Sequence, residues 1–325
     1  MLRTETMLSR VADSLYWMSR YLERAEHTAR LIDVDLQLRL DQSPEFATGR
    51  WLRLIEALQV PASLVGTADG TSLADTLTFN RLNPSSIVSC IAAARENLRQ
   101  VREQCSTEMW EQLNRLYLQM LEKHPEGGWV LESHLFFRSV QEGAQLFQGV
   151  TDSTMSHGEG WHFIQLGRFV ERTDALSGLI GAHFSRLTQP SDQAAEGTEY
   201  LEWVGLLKSC AAFEAYCKTH SAELRPQRVA EFLLLNPEFP HSVRFSVESV
   251  HSALRMIGEL TDRKVVQPVR LAGRLRAALS FSQVEEVMAD GVYLYLENVR
   301  RQCSQIHAAI QQVYFDYLIE STISA

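Results

Sequence analysis

Between residues 9 and 38, apolar residues recur at alternating spacings of four and three: Val11, Leu15, Met18, Leu22, Ala25, Ala29, Ile32 and Leu36. That period marks one face of an α-helix, and no Gly or Pro interrupts it before the stop at Asp41-Gln-Ser-Pro44. The pattern predicts a long amphipathic helix packed against neighbours, as in a bundle. Further helices are predicted over 49–58, 87–104, 107–123, 130–148, 161–187, 199–219, 226–234, 241–260, 265–280, 283–289 and 291–320. Turn chemistry separates them. Pro61, a loop at 65–70, the helix-opening Asn83-Pro-Ser-Ser86 and His124-Pro-Glu-Gly-Gly128 act in the first half; a polar connection at 149–154 and a flexible segment at 188–197 follow. Nowhere do β-branched residues alternate over a full segment bounded by turns, so the expected fold class is all-α.

Self-similarity sharpens this picture. Arg20-Tyr-Leu-Glu-Arg24 recurs as Arg168-Phe-Val-Glu-Arg172, Trp51-Leu-Arg-Leu-Ile as Trp203-Val-Gly-Leu-Leu, and Phe79-Asn-Arg-Leu-Asn-Pro84 as Phe232-Leu-Leu-Leu-Asn-Pro237. The order is kept and the offset is nearly constant, as a tandem duplication requires. The expectation is a helical bundle of two diverged repeats, 1–149 and 150–325, forming one integrated domain about a pseudo-two-fold axis.

The two Arg-x-x-Glu-Arg helices hold the candidate site. Arg20, Glu23, Arg24 and His27 fall three to four residues apart and share one helical face. Arg168, Glu171 and Arg172 form the matching face, while His27 aligns with Ala175 and Arg30 with Gly178. Two such faces meeting would bring two carboxylates and four guanidiniums together. One reading is an ion-pair network that docks the halves, because a carboxylate between two arginines is satisfied at both oxygens. The other is an anion pocket built from arginine forks. The first is preferred, and the sequence leaves both open.

Other chemistry is thin. Glu248-Ser-Val-His251 has the Glu-x-x-His spacing, but a dinuclear site in a bundle needs two such pairs together with two further glutamates. His157, Glu159 and His162 cluster just before a helix, where solvated loop residues are the simpler reading. Thr151-Asp152-Ser-Thr154 and Asn83-Pro-Ser-Ser86 are read as caps ahead of helices, with anion binding as the alternative. No phosphate-binding loop, nucleophile elbow, zinc-protease helix or dinucleotide fingerprint occurs. Neither a metal nor a cofactor is expected.

Composition narrows the class of partner. The chain has 325 residues, 45% hydrophobic and 22% charged, with 31 basic against 40 acidic residues and a formal charge of −9. An acidic chain without a basic block repels phosphate backbones and anionic lipid, so neither nucleic acid nor membrane is an expected partner. Five scattered cysteines without a C-x-x-C read as reduced thiols packed in the core, with Cys210 and Cys217 seven apart on one helical face. Glu5 and Asp13 interrupt what a signal peptide would keep apolar, and no run is long enough for a membrane span. A cytoplasmic location is expected.

Several long segments in order, MLSRVADSLYWMSRYLERAEHTARLIDV, LNPSSIVSCIAAARENLRQVR, STEMWEQLN, LFQGVTDSTM, GWHFIQLGRFVERTDAL and RVAEFLLLNPEFPHSVRFSV, resemble the bacterial alpha-E family over nearly the whole chain. The resemblance implies an all-helical protein. Genes of that family commonly sit beside, or are fused to, a circularly permuted ATP-grasp protein, often with a transglutaminase-like peptidase nearby. It therefore implies a part in an amide-ligating or peptide-modifying system, with those two proteins as expected partners and no reaction assigned to the alpha-E portion. Carried over, the family's Glu-Arg motif falls on Glu23-Arg24 and Glu171-Arg172, and Arg95-Glu96-Asn97 falls in a third matching segment. Asn83, Arg95, Glu96, Asp152 and Asn236 are secondary candidates. A non-catalytic partner of the ligase is the leading expectation, with an enzyme whose active site is the Glu/Arg cluster as the alternative. The oligomeric state is not set by any of these features.

Overall fold

The periodic stretch forms the helix it predicts, α1 (Ser9–Arg39), in a computed structural model that describes residues 7–39, 44–65, 70–122, 133–187, 196–220, 223–261 and 266–315. The first part continues with α2 (Pro44–Ala57), α3 (Ala62–Val65), α4 (Gly70–Thr78), α5 (Ile87–Gln100), α6 (Thr107–Glu122) and α7 (Ser133–Thr154). The second part holds α8 (Glu159–Leu187), α9 (Glu196–Ser209), α10 (Phe213–His220), α11 (Pro226–Leu235), α12 (Val243–Thr261), α13 (Val266–Phe281), α14 (Val284–Asp290) and α15 (Val292–Ile310). Among the described residues there is no strand, and the fold is all-α.

The two longest helices, α1 and α8, pack on one another at the centre. Helices α5 and α7 cover α1, while α12 and α15 cover α8. Two shorter helices cross over, α2 against α8 and α9 against α1. This placement changes the reading of α1. An amphipathic helix keeps a solvated polar face, yet Ser14, Ser19, Glu23, Glu26, Thr28, Asp33 and Asp35 are buried along with its apolar seam. Covering helices on several sides cut its carboxylates off from water, so Glu23, Asp33 and Asp35 are matched by Arg172, His134 and Arg50 of other helices and Glu26 by Arg30 of α1 itself.

One close approach sets the central crossing. At Gly167 on α8, a Cβ would run into the backbone carbonyl of Tyr16 on α1. Glycine costs a helix interior roughly 1 kcal/mol relative to alanine, and here the missing side chain lets two backbones touch.

Local differences from the expected elements have physical causes. Residues 149–154 are not a connection: α7 runs through them to Thr154, and the Thr151, Ser153 and Thr154 hydroxyls donate to carbonyls four residues earlier instead of capping a following helix. The predicted 199–219 helix is two, α9 and α10, parted where Ala211 takes a left-handed φ of 51°. Cys210 and Cys217 therefore do not share one helix face, although Cys90, Cys210 and Cys303 are buried as expected. The 87–104 helix ends at Gln100 and finishes in a tighter turn, Arg102–Gln104; the last helix ends at Ile310 and widens into a turn at Gln311–Phe315. Pro44 begins a helix, consistent with its missing N–H being no loss there. The loop residues 66–69, the His124-Pro-Glu-Gly-Gly128 turn and residues 188–195 of the flexible segment lie outside the described residues, while Glu196 and Gly197 belong to α9.

Capping follows the expectation at Ser86, whose Oγ accepts from the Ser89 N–H at 3.3 Å. Ser242 does the same for α12, accepting from Phe245 N–H at 3.0 Å while its hydroxyl donates to the Asn236 carbonyl at 2.5 Å. Because Ser242 is fully buried, Ser242→Ala should lower unfolding free energy by about 1–2 kcal/mol, read as a lower urea midpoint.

Candidate functional site

The paired arginine–glutamate helices meet at the α1–α8 contact, and their partners are exchanged. Glu171 on α8 accepts from Arg20 Nε (2.7 Å) and from Arg24 Nε (2.6 Å) and Nη2 (3.1 Å), both arginines lying on α1. Glu23 on α1 accepts from Arg172 Nε (2.5 Å) and Nη2 (3.0 Å) on α8, with Arg168 Nε at 3.7 Å. The Arg24 and Arg172 pairs are two-pronged, the strongest geometry open to a guanidinium and a carboxylate. Gln148 on α7 adds a bond to Glu23 (3.3 Å), and Arg172 Nη1 donates to the Pro240 carbonyl (3.1 Å). The Glu23 and Arg172 side chains are each 3% exposed.

Burial would raise the Glu171 carboxyl, but the Arg20 and Arg24 guanidiniums outweigh it and hold it down to about 2. The same attraction raises Arg20 and Arg24 against their own desolvation. Arg168 goes the other way: burial and neighbouring Arg172 push it down to about 10, and Glu23 only partly offsets them. His27 is carried into the interior, where burial lowers it to about 4 against the pull of Glu26, while Arg30 lowers it further.

These shifts predict an acid sensitivity in two stages. His27 is neutral when folded but takes a proton near its ordinary 6.5 when unfolded, so stability falls as pH drops from 6.5 towards 4. The contribution of Glu171 is complete above its ordinary 4.5 and is lost as pH falls towards 2. Urea midpoints between pH 7.5 and 4.5 should therefore decline, and His27→Gln should make the decline shallower. An equal decline in that variant would count against the His27 assignment. Glu26, Arg30, Glu171 and Arg172 are the charged groups acting on this histidine.

The Glu171 side of the cluster faces a cavity of about 280 Å³, walled by Arg24, His27, Asn83, Ser85, Asp174 and Arg300 among others. A second cavity of about 300 Å³ lies alongside it, sharing Gln59, Asp174 and Arg300 and reaching Arg20 and His307. His307 Nδ1 lies 2.8 Å from the Tyr16 hydroxyl and 3.3 Å from Arg20 Nη1. Burial and Arg20 lower His307 to about 4, which keeps the ring neutral at physiological pH.

The structure thus brings together Arg20, Glu23, Arg24, Arg168, Glu171 and Arg172, with His27 beside them, and adds Asn83 through the cavity wall. The other candidates have separate roles. Arg95 donates to Asn114 (2.7 Å) and lies over the Trp110 and Tyr117 rings, and Glu96 pairs with Arg99 on an exposed face. Asn236 accepts from two backbone N–H groups in its own turn, and Asp152 sits exposed near the end of α7. Of the three residues read as solvated loop, only His157 is exposed, stacked on Trp161; Glu159 opens α8 and accepts from the Met7 N–H, and His162 is buried on that helix. Glu248 pairs with Arg244. Among the described residues no group of three or more His, Cys, Asp or Glu is placed to hold a metal ion.

Sequence reasoning missed Asp174, Arg300 and His307. Spacing held a signal for each: Asp174 follows Glu171 by three residues, and Arg300 and His307 are seven apart on α15, hence on one face. It also missed a second polar cluster along α1, where Asp35, Arg50, Arg53 and Glu202 converge below the Glu/Arg layer.

An all-helical fold whose two central helices exchange buried glutamates for arginines defines the class of protein. The chain belongs to the Alpha-E family: the model of that family, described as a predicted alpha-helical domain with a conserved ER motif, matches residues 7–315. The chain has two Glu-Arg dipeptides, Glu23-Arg24 and Glu171-Arg172, and these are the pairs that meet between α1 and α8. Similar curated proteins include uncharacterized proteins of Mycobacterium bovis and of Mycobacterium tuberculosis strain CDC 1551, each 25% identical over 330 residues. A further uncharacterized protein of M. tuberculosis strain H37Rv is 24% identical. The alignments cover 94% of this chain but only 36% of each relative, so the chain spans about a third of the length of the curated relatives it matches. No solved structure matches it. No described helix is long and apolar enough to cross a membrane.

Proposed function

We propose that this chain is a non-catalytic helical partner of an ATP-grasp-type amide or peptide ligase, holding the ligase or presenting its substrate in the cytoplasm. The observation that carries this reading is the saturation of Glu23 and Glu171. A general base must be free to accept a proton near neutral pH. Glu171 instead stays ionised down to about 2 with both oxygens engaged, and Glu23 is buried against Arg172. The resemblance supplies the partner, and the relatives' length supports it, since most of each mycobacterial chain lies outside the match. A transglutaminase-like peptidase is the second partner in this reading.

The same reading treats residues 1–149 and 150–325 as two diverged repeats packed about a pseudo-two-fold axis. The reciprocal Glu/Arg exchange supports it. So do Trp51 and Trp203, buried on α2 and α9, and the Asn83 and Asn236 side chains, which accept backbone N–H groups just ahead of the Ser86 and Ser242 caps.

Co-purification with the neighbouring ligase, followed by ligase assays with and without this chain, tests the proposal. A stable complex that raises ligation is expected; no complex together with unchanged ligation sinks it. The alternative, an enzyme working at the Glu/Arg cluster, is favoured by the cavity against Glu171. Glu23→Gln separates the two. A structural cluster predicts a lower melting temperature with activity falling only as folding falls, whereas a catalytic one predicts an intact fold and no product.

A further inference from the structure

The cavity beside Glu171 is built with donors that the fold does not use. Arg24 spends Nε and Nη2 on Glu171, and Nη1 makes no hydrogen bond among the described residues. Arg300 spends Nε on Asp174 (3.1 Å) and Nη1 on Glu297 (3.3 Å), leaving Nη2. His27 is 9% exposed, lines the cavity, and makes no hydrogen bond to a described residue. Gln59 lines both chambers from a left-handed backbone (φ 50°), a position where glycine is usual, and its amide is likewise unspent. These donors border open cavity space, where a ligand can take them in place of water.

Charge indicates what that something is. Arg20, Arg24, Arg300 and Arg301 line the two chambers, against the carboxylates of Glu171, Asp174 and Glu297. Four guanidiniums facing three carboxylates leave an excess of one positive charge, inside a chain whose formal charge is −9. The excess suits a single negative charge, and spare arginine N–H groups beside a neutral imidazole suit its planar oxygens. Two adjoining chambers of about 280 and 300 Å³ have room for a small organic molecule.

We propose that this double cavity binds the carboxylate of an amino acid or of a short peptide's C-terminus, through Arg24, Arg300 and His27. The site rests on the cavity alone and not on the ligase partnership. Isothermal titration of the full chain with alanine, Ala-Ala, Ala-Ala amide and inorganic phosphate tests it. Saturable binding of alanine or Ala-Ala is expected, with Ala-Ala amide and phosphate at least tenfold weaker. Alanine against Ala-Ala tells a free amino acid from a peptide end. Arg300→Met should weaken binding at least tenfold, and His27→Gln, which keeps a polar side chain, several-fold with the melting temperature little changed. Binding of the amide as tight as the acid, phosphate binding more tightly than either carboxylate, or no binding of either carboxylate overturns the proposal. So does unchanged affinity in a folded His27→Gln protein, which serves even where Arg300→Met fails to fold.

Discussion

Replacing Glu23 with alanine should cost the fold about 3–5 kcal/mol, the loss expected when one member of a buried ion pair is removed and the other left behind. Arg172 is the residue left behind, 3% exposed, with one remaining bond to the Pro240 carbonyl. Arg168, already lowered by Arg172, loses its nearest carboxylate as well. Glu171→Ala should cost less. Its partners Arg20 and Arg24 have side chains 11% and 26% exposed and line the two cavities, where solvent can replace part of what the carboxylate supplied. Urea unfolding of both single variants measures the order; a Glu171→Ala loss exceeding that of Glu23→Ala would contradict it. The double variant Glu23→Leu with Arg172→Met should recover much of the loss, because a buried pair exchanged for apolar groups of similar volume is often neutral. Failure of that recovery would mean that the pair contributes more than its own charge balance.

The second large effect is expected at Gly167. Alanine there should lower stability by about 3 kcal/mol, despite its better helix propensity, because its Cβ meets the Tyr16 carbonyl and backbone cannot yield as a side chain does. The two central helices must then separate, which also stretches the Glu/Arg bonds between them. Gly258 on α12 provides the contrast. A Cβ there meets nothing within 4 Å, so Gly258→Ala should be neutral or stabilising by up to about 1 kcal/mol. Thermal melts of the two variants should move in opposite directions. A Gly167→Ala protein as stable as the parent would mean that α1 and α8 can separate at this crossing without loss.

Much of this architecture was legible in the residues because helices announce themselves through period. The α1 seam needed only the recurrence of apolar residues every three to four positions, and Ser86 needed only its place before Ile87. The burial of α1 was not legible in the same way. Glu23, Glu26, Asp33 and Asp35 look like a solvated face until their partners are in place: Arg172 from far along the chain for Glu23, Arg30 on the same helix for Glu26, His134 for Asp33 and Arg50 for Asp35. The cluster itself was readable as a juxtaposition because its motif occurs twice. Its cavity was not, since Gln59, Asp174 and Arg300 come from three different helices or turns and share no local pattern. The 149–154 segment misled for a local reason: its hydroxyls, read as caps for a following helix, instead bond back into the helix that carries them.

The exchange of partners between α1 and α8 also bears on the order in which this chain can become folded. Glu23 is answered by Arg172, a partner 149 residues downstream. While a ribosome is still making the first part, α1 holds carboxylates that have nothing to meet, and its tyrosine backbone has no Gly167 to rest against. Closing so long a loop comes before any of its reward, which places the commitment to the native state late, after α8 has emerged. Until then the nascent first part has α5 and α7 against α1 but not α8, and a chain cut after α7 is left with a central helix that lacks its counterpart.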